Sequence, residues 1–247
     1  MLHCPDLCDI IGGIRAIPGV QTIGLTTNGV LLAQAAAPLK AAGLDSVNIS
    51  LDSTDGSTYR HLTGADVLEK VLAGIAAAQE VGLSPIRINA VLMRSVNDDG
   101  AGALIELART QPIDVRFIEL MPFSDIGEAQ DKRVTGDEIL RQFPFLRPTA
   151  SQEPATARYY TADGFQGRVG LIDPVSHRFC ESCSRIRLLS DGSVKPCLAY
   201  DESYELLPYL QDDDALLAHV ERIILKKPAG HAFGSETTTH GLNKTGG

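Results

Sequence analysis

TIGLTTNGVLLAQAAAPLKAAGLDSVNISL, residues 22–51, decides the fold. It places a β-rich run at 22–25, apolar residues at helical spacing over 31–42, and a second β-rich run at 46–51. Gly43 lies just past the helix, where a left-handed cap residue is favoured. A strand, a helix and a strand in this order predict two parallel strands joined by a right-handed crossover.

The same alternation extends from residue 6 to about residue 130. Further helices are predicted over 7–17, 67–81 and 103–108, and further strands over 86–92 and 115–120. We therefore expect an α/β fold whose first domain, residues 1–125, holds four parallel strands, too few to close a barrel. The chain opens on a helix with no strand before it, and we interpret this as a missing segment in front.

One face of these strands is polar. Period-two alternation places the following residues on it: Thr22, Gly24, Thr26, Ser46, Asn48, Ser50, Arg87, Asn89 and Arg116. A buried parallel sheet normally reads as nearly continuous apolar runs, so this face is either open to water or the inner wall of an incomplete barrel around a polar ligand. Polar residues also follow each strand end, where barrel enzymes work, and they favour the inner wall.

The pattern changes after Met121. A short helix is predicted over 136–143, hairpin-like segments at 158–161, 168–172 and 186–189, and a last helix over 215–225. These elements predict a second, smaller α+β module over residues 126–247.

Composition limits the partners. The net charge is −9, aromatic residues make up 5% and Trp is absent, so we expect neither a nucleic-acid binder nor a base-stacking surface. Every apolar stretch is interrupted too soon to cross a bilayer, and no signal peptide is recognisable at Met1, so we expect a cytoplasmic protein without a membrane partner.

The cysteines indicate metal chemistry. Cys180 and Cys183 are separated by two residues, and a turn at Asp191-Gly192 can bring Cys197 back to them. Three thiolates and one further ligand suit either a [4Fe–4S] cluster or tetrahedral zinc, with His177 as the fourth zinc ligand. Spacing alone leaves these two sites open.

Arginines follow the cysteine pair. Alternation places Arg185 and Arg187 on one side of a strand, and guanidinium groups bind phosphate in a bidentate manner. The alternative is a pair of solvated surface arginines. With Arg87 and Arg116 they make a cationic lining of triphosphate size.

A series of stretches along the chain carries a family resemblance: LTTNGVLL (25–32), VNISLDS (47–53), NDD (97–99), VRFIELMP (115–122), FCESCSRIRL (179–188), SDG (190–192), CL (197–198) and the final Gly246-Gly247. In these stretches the sequence resembles the GTP 3′,8-cyclase family of radical S-adenosylmethionine (radical-SAM) enzymes, which starts molybdenum cofactor biosynthesis. Together the stretches extend over essentially the whole chain.

The resemblance implies an incomplete (βα) barrel and a C-terminal module with its own [4Fe–4S] cluster. In that module Cys180, Cys183 and Cys197 leave one iron open for the guanine of GTP. The positions implied to contact GTP are Thr26, Arg87, Arg185, Ile186 and Arg187. Arg116 and the tail Gly246-Gly247 are implied to be catalytic, and Ser50 and Met121 to contact S-adenosylmethionine.

One family motif has no counterpart. Complete enzymes hold a second [4Fe–4S] cluster, which cleaves S-adenosylmethionine, in an N-terminal Cys-x₃-Cys-x₂-Cys. Here Cys4 and Cys8 match only the first half, because position 11 is Ile11. We therefore expect an N-terminally truncated cyclase that binds GTP weakly or not at all, and that is inactive alone.

In the complete enzyme a 5′-deoxyadenosyl radical takes the 3′ hydrogen of GTP, and the ribose carbon then attacks C8 of guanine. The family further implies a homodimer and a downstream partner, cyclic pyranopterin monophosphate synthase. Two other functions stay open: a zinc-stabilised barrel hydrolase or lyase, and a non-catalytic nucleotide-binding derivative of the cyclase.

Overall fold

The computed structural model describes residue 2 and residues 4–122, 130–149 and 156–231. The helices in these ranges are α1 (Leu7–Arg15), α2 (Leu32–Ala41), α3 (Gly56–Thr63), α4 (Leu68–Glu80), α5 (Ala101–Thr110), α6 (Gly136–Gln142) and α7 (Asp213–Leu225). The strands are β1 (Gly24–Thr27), β2 (Ser46–Ser50), β3 (Ile86–Val91), β4 (Ile113–Ile118), β5 (Arg147–Pro148), β6 (Arg158–Thr161), β7 (Val169–Ile172), β8 (Arg187–Leu188), β9 (Ser193–Lys195) and β10 (Tyr204–Glu205). Short 3₁₀ helices span Asp98–Gly100, Gln130–Lys132, Cys180–Ser182 and Leu207–Tyr209.

The main sheet has the strand order β1-β2-β3-β4-β7-β6-β5. β1 to β4 are parallel neighbours, which confirms the four strands predicted from sequence. β7 adds a fifth parallel strand beside β4, and β6 and β5 continue the sheet antiparallel. The first unit therefore has an α/β fold with a mixed sheet, in which β1 to β4 and β7 are parallel and β6 and β5 are antiparallel to their neighbours.

The described chain forms two compact units. The first takes residues of Met1–Leu120, Arg133–Gln152 and Ala157–Asp173, and the second takes residues of Met121–Lys132, Glu153–Thr156 and Pro174–Gly247. These bounds differ from the division at residue 125, because β5, β6 and β7 extend the main sheet instead of belonging to a separate module; the antiparallel pairing of β6 with β7 is the hairpin expected from sequence. In the second unit β10, β9 and β8 form a small antiparallel sheet.

The core of the first unit lies between the apolar face of the sheet and its helices. The strand residues of this face are buried: Val47, Ile49, Ile86, Ile88, Val115 and Phe117. A Cβ on Gly74 of α4 would lie 2.6 Å from the carbonyl oxygen of Gly29, so the glycine allows α4 to pack against the end of β1. The opposite face of the sheet is therefore the one available for polar side chains.

The sequence pattern missed α3. This helix is mostly polar and buries only Tyr59, so it has no apolar periodicity to detect. Its N-cap is Asp55, whose Oδ1 accepts a hydrogen bond from the Thr58 N–H at 2.8 Å. Asp52 and Ser53, which had the residue types of helix caps, precede the cap itself; Ser53 Oγ accepts a hydrogen bond from the Asp55 N–H at 3.0 Å.

None of the helices in the described ranges is long and apolar enough to cross a membrane.

Candidate functional site

The polar face predicted from sequence is present on the main sheet. Strand register places Thr26 beside Asn48, Asn48 beside Arg87, and Asn89 beside Arg116. Residues paired directly across parallel strands point to the same face. We call these five residues the polar row; all of them are half-buried.

Hydrogen bonds connect the polar row. Arg116 donates from Nε to Asn89 Oδ1 at 2.8 Å and from Nη2 to Asn48 Oδ1 at 2.9 Å. Asn48 uses its amide nitrogen to donate to Thr26 Oγ1 at 3.2 Å. The Arg116 guanidinium is thus held on two sides by neutral amides.

The environment of Arg116 disfavours its charge. Burial lowers its pKa most, and repulsion from the Arg87 guanidinium lowers it further, while Tyr159 and Asp114 oppose these effects. Space for the side chain comes from Gly170, its neighbour on β7, because a Cβ there would lie 2.9 Å from Arg116 Cγ.

Arg87 has an unsatisfied donor. Its Nε is buried and, within the described residues, has no hydrogen-bond partner. Among the residues that the structure describes, neither Arg87 nor Arg116 lies within ion-pair distance of a carboxylate. An unmet buried donor costs about 1–3 kcal/mol. The polar row is therefore cationic and suits an anionic ligand.

Sequence reasoning missed three residues beside the polar row. Asp114 is buried and forms an ion pair with Arg168, whose Nη2 lies 2.6 Å from Asp114 Oδ2. The Arg168 guanidinium carbon lies 4.1 Å from the centroid of the Tyr159 ring. Asp114 was detectable, because it precedes Arg116 by two residues on the same strand. Arg168 and Tyr159 reach this face only through the pairing of β7 and β6, which no local pattern reveals.

The strand ends hold two polar groups with different roles, the buried Asn97 and the half-buried Asp52. Asn97 is fully buried and accepts from the Met93 N–H at 2.7 Å, while its amide donates to the carbonyl oxygens of Asp52 and Val91. It therefore fixes the loop after β3. Burial raises the pKa of the Asp52 carboxyl, although a hydrogen bond from the Val91 N–H opposes this effect.

The predicted S-adenosylmethionine contacts lie at strand ends as well. Ser50 ends β2 and is exposed, and Met121 follows β4 and is half-buried. Ser50 belongs to the first unit and Met121 to the second.

The cysteine group lies in the second unit. Cys180 opens a 3₁₀ helix and the Cys183 N–H donates to its carbonyl oxygen at 3.1 Å. The predicted turn joins β8 to β9: Gly192 has φ +82°, and Asp191 Oδ1 accepts from the Ser193 N–H at 2.9 Å. Cys197 follows β9 by two residues. All three thiols are free and half-buried.

Cationic groups lie near two of these thiols, Cys183 and Cys197. Burial raises the pKa of the Cys183 thiol, but hydrogen bonds from Arg185 and the charge of Lys227 outweigh this and leave the pKa below its ordinary value. Burial and repulsion from Arg185 lower the pKa of Arg187, while attraction to Cys197 and Cys183 opposes them. These electrostatic interactions place Arg185 near Arg187 and near the Cys183 thiol, but β8 begins at Arg187, so Arg185 precedes the strand on which the alternation placed both residues; Ile186 between them is exposed.

Two family models match the chain. Residues 2–108 match the Radical SAM superfamily, and residues 113–233 match Molybdenum Cofactor Synthesis C. A GTP 3′,8-cyclase of Alkaliphilus oremlandii is 39% identical over 98% of this chain and 77% of its own length. The GTP 3′,8-cyclases of Clostridium acetobutylicum and Peptoclostridium acidaminophilum are 38% and 41% identical, over 94% and 91% of the chain and 73% and 71% of their own lengths.

The chain belongs to the GTP 3′,8-cyclase family. Membership implies [4Fe–4S] clusters and S-adenosylmethionine in general. The donor set of the second unit fits a cluster, because its three thiols are free and cations near two of them, Cys183 and Cys197, offset the negative charge of bound thiolates.

The cysteine group of this GTP 3′,8-cyclase family member fits a single metal ion less well than it fits a cluster. In the residues that the structure describes, no group of three or more His, Cys, Asp or Glu side chains is arranged to hold a metal ion. His177, the fourth ligand of the zinc alternative, is exposed. A four-iron cluster differs from an ion in that each thiolate binds a different iron, so the sulfurs need not converge on one point.

The remaining candidates lie near the ends of the sequence. Gly246 and Gly247 fall outside the described residues. Cys4 is exposed, Cys8 lies within α1, and Ile11 packs into the core from the same helix. The structure thus places the Cys4–Ile11 stretch mostly on a helix.

Proposed function

We propose that this protein is a GTP 3′,8-cyclase of molybdenum cofactor biosynthesis and that the polar row binds the anionic part of its nucleotide. The observation that carries the proposal is the buried Nε of Arg87, which has no hydrogen-bond partner in the described part of the chain. A phosphate oxygen would accept from it and recover the cost of burying the donor.

The neutral partners of Arg116 support the same role. Asn48 and Asn89 fix the guanidinium without cancelling its charge. If carboxylates stood at these positions, they would hold the side chain equally well and repel a triphosphate. The partial desolvation of Arg116 strengthens its attraction for an anion, because the local dielectric constant is low.

In the second unit we propose that Cys180, Cys183 and Cys197 hold a [4Fe–4S] cluster. When bound, this cluster supplies an open iron site for the guanine. Arg185, Ile186 and Arg187 would line the nucleotide beside the thiols, with the two guanidiniums providing the charge. Ser50 and Met121 are the proposed contacts to S-adenosylmethionine.

Several family features stay predictions. These are the incomplete barrel, the catalytic tail Gly246-Gly247, a homodimer and transfer of the product to cyclic pyranopterin monophosphate synthase.

The proposal is tested by titrating the 247-residue chain with GTP in a calorimeter under anaerobic conditions, using parent and Arg87→Met proteins. We expect the variant to bind about 10-fold more weakly, because a hydrogen bond to a charged group contributes about 1.5–3 kcal/mol. The matched control is Arg109→Met, which removes an exposed guanidinium paired with Glu106 on α5.

Equal affinity of the parent and Arg87→Met proteins would contradict the role of the polar row. Detectable cyclisation of GTP by the purified 247-residue chain would contradict the expectation that it is inactive alone.

A further inference from the structure

Lys227 connects two distant parts of the second unit. It follows the C-terminal end of α7, and its half-buried Nζ donates to the carbonyl oxygen of Arg185 at 2.6 Å and to that of Pro196 at 2.9 Å. Arg185 lies two residues after Cys183, and Pro196 directly precedes Cys197. One ammonium group therefore joins the two segments that carry these cysteines.

The hairpin between the two segments does not itself join the segments that carry the cysteines. The ladder of β8 and β9 consists of two pairs, Arg187 with Lys195 and Leu188 with Val194. The cysteines lie beyond its open end, where the strands no longer pair. The carbonyl groups of Arg185 and Pro196 are the acceptors at that end, and Lys227 bridges them.

Residues that follow Lys227 in the sequence also contact the chain around the cysteine group. Tyr200 Oη, three residues after Cys197, donates to the Gly230 carbonyl oxygen at 2.9 Å. His231 is buried and its Nε2 contacts the carbonyl oxygen of Pro174, on the approach to Cys180. The segment from Lys227 to His231 thus contacts the chain on both sides of the cysteine group.

We propose that Lys227 is a positioning residue for the iron–sulfur site: its two hydrogen bonds hold the Cys183 and Cys197 segments at the spacing that a cluster requires. This inference rests on the proposed assignment of the cluster to Cys180, Cys183 and Cys197. Lysine suits the role because an ammonium group has three donors and no acceptor, so it can bridge two carbonyl oxygens. Its positive charge also offsets the charge of a thiolate-bound cluster.

The first experiment measures iron retention. Parent and variant chains are loaded with iron and sulfide under anaerobic conditions, and the loss of cluster absorbance is followed during competition with a chelator. We expect Lys227→Met to hold iron about 10-fold more weakly, the effect typical of removing a group that orients metal ligands. Lys227→Arg, which restores donors and charge, should recover most of the loss.

The matched control is Lys226→Met. Lys226 is the exposed neighbour of Lys227, and its Nζ lies 4.6 Å from the centroid of the Tyr204 ring, so it does not bridge the cysteine segments. Equal iron retention in Lys227→Met and Lys226→Met would overturn the inference. A parent chain that takes up no iron would instead overturn the proposed cluster.

A second experiment needs no iron. The alkylation rates of Cys183 and Cys197 in the metal-free chain report how firmly the two segments are held. We expect Lys227→Met to raise both rates about 10-fold once each rate is divided by the thiolate fraction from its own pH profile, a correction needed because the charge of Lys227 also lowers the pKa of the Cys183 thiol; Lys226→Met should leave the corrected rates unchanged. The shorter, neutral Lys227→Gln serves if the first variant does not fold, and it should give an intermediate rate. Unchanged rates in the folded variants would overturn the inference.

Discussion

Arg116 donates a hydrogen bond from Nε to Oδ1 of Asn89 at 2.8 Å, so this half-buried cation has a neutral partner. Buried arginines are usually paired with carboxylates, which cancel their charge. Here the amide fixes the guanidinium and leaves its charge for a ligand. The identity of this side chain thus decides whether Arg116 contributes its charge to the polar row.

Replacement of this amide by a carboxylate tests that conclusion. Asn89→Asp keeps an acceptor for Arg116 and adds a negative charge to the polar row. We expect GTP affinity to fall about 30-fold, because charges about 8 Å apart interact by about 2 kcal/mol at an effective dielectric constant of about 20. Calorimetric titration measures the effect. Gln34→Glu, which adds the same charge on the exposed side of α2, is the control; an equal loss in both variants would mean that the effect of Asn89→Asp is not local.

Gly170 tests the space around Arg116. A Cβ at this position would lie 2.9 Å from Arg116 Cγ and 3.1 Å from Tyr159 Cε1. We expect Gly170→Ala to lower the free energy of unfolding by about 1–3 kcal/mol and to weaken GTP binding, because the guanidinium must move. Urea unfolding and GTP titration measure the two effects. Gly13→Ala, on α1 with open space around its Cβ, should be neutral or stabilising; normal GTP affinity in Gly170→Ala would show that the position of Arg116 does not matter.

The arginines beside the cysteines are tested separately. We expect Arg185→Ala and Arg187→Ala each to reduce GTP binding by about 10-fold or more, because each removes a donor that binds phosphate with a full charge. The measurement is GTP titration of the iron-loaded chain. Arg222→Ala removes an exposed guanidinium from α7 and is expected to bind GTP normally. Unchanged affinity in both Arg185→Ala and Arg187→Ala would refute their role.

Asp52 provides a prediction about pH. Burial raises its folded-state pKa above the ordinary value of 3.8. The group therefore has no effect on stability well below pH 3.8, where the folded and unfolded chains are both protonated; it lowers stability progressively as the pH rises from about 3.8 to the folded-state pKa, and the loss is then constant. Asp52→Asn keeps the acceptor for the Val91 N–H and removes the charge. We expect it to be more stable than the parent at pH 7, with the difference shrinking as the pH falls towards 3.8.

Urea unfolding at pH 7 and near pH 4 measures this difference. Asp52→Ala is the control, because it removes the acceptor for the Val91 N–H as well as the charge, and should be less stable than Asp52→Asn at each pH. An Asp52→Asn protein that is less stable than the parent at pH 7 would mean that the carboxylate has a stabilising contact that outweighs its burial.

Local periodicity predicted much of the first unit. The period of two placed Thr26, Asn48, Arg87, Asn89 and Arg116 on one face, and the sheet register confirms it. It could not predict that β7 lies between β4 and β6, because that position depends on the pairing of Val115 with Val169 across a long stretch of chain. Arg168 and Tyr159 were missed for the same reason.

In the second unit the turn before Ser193 was predictable, since Asp-Gly is a strong turn signal. Lys227 was not, because its contacts are to backbone carbonyl groups of residues far away in the sequence. A lysine at the end of a helix can make several kinds of contact, and only the folded structure shows which of them it makes. The hydrophobic and turn patterns therefore predict elements, while long-range pairing and side-chain reach decide the details of the site.

The position of β7 also determines when the first unit can assemble during synthesis. β4 has β3 on one side and β7 on the other, so its second edge stays unpaired until Ile172 has left the ribosome. A nascent chain that has emerged only as far as residue 125 exposes that edge, together with the apolar residues Val115 and Phe117 that flank it, and such edges pair readily with other chains. An isolated fragment that contains the parallel strands should therefore extend through Asp173. The carboxylate of Asp173, directly after β7, accepts a hydrogen bond from the Gly136 N–H and forms an ion pair with Arg158, so it connects the end of β7 to α6.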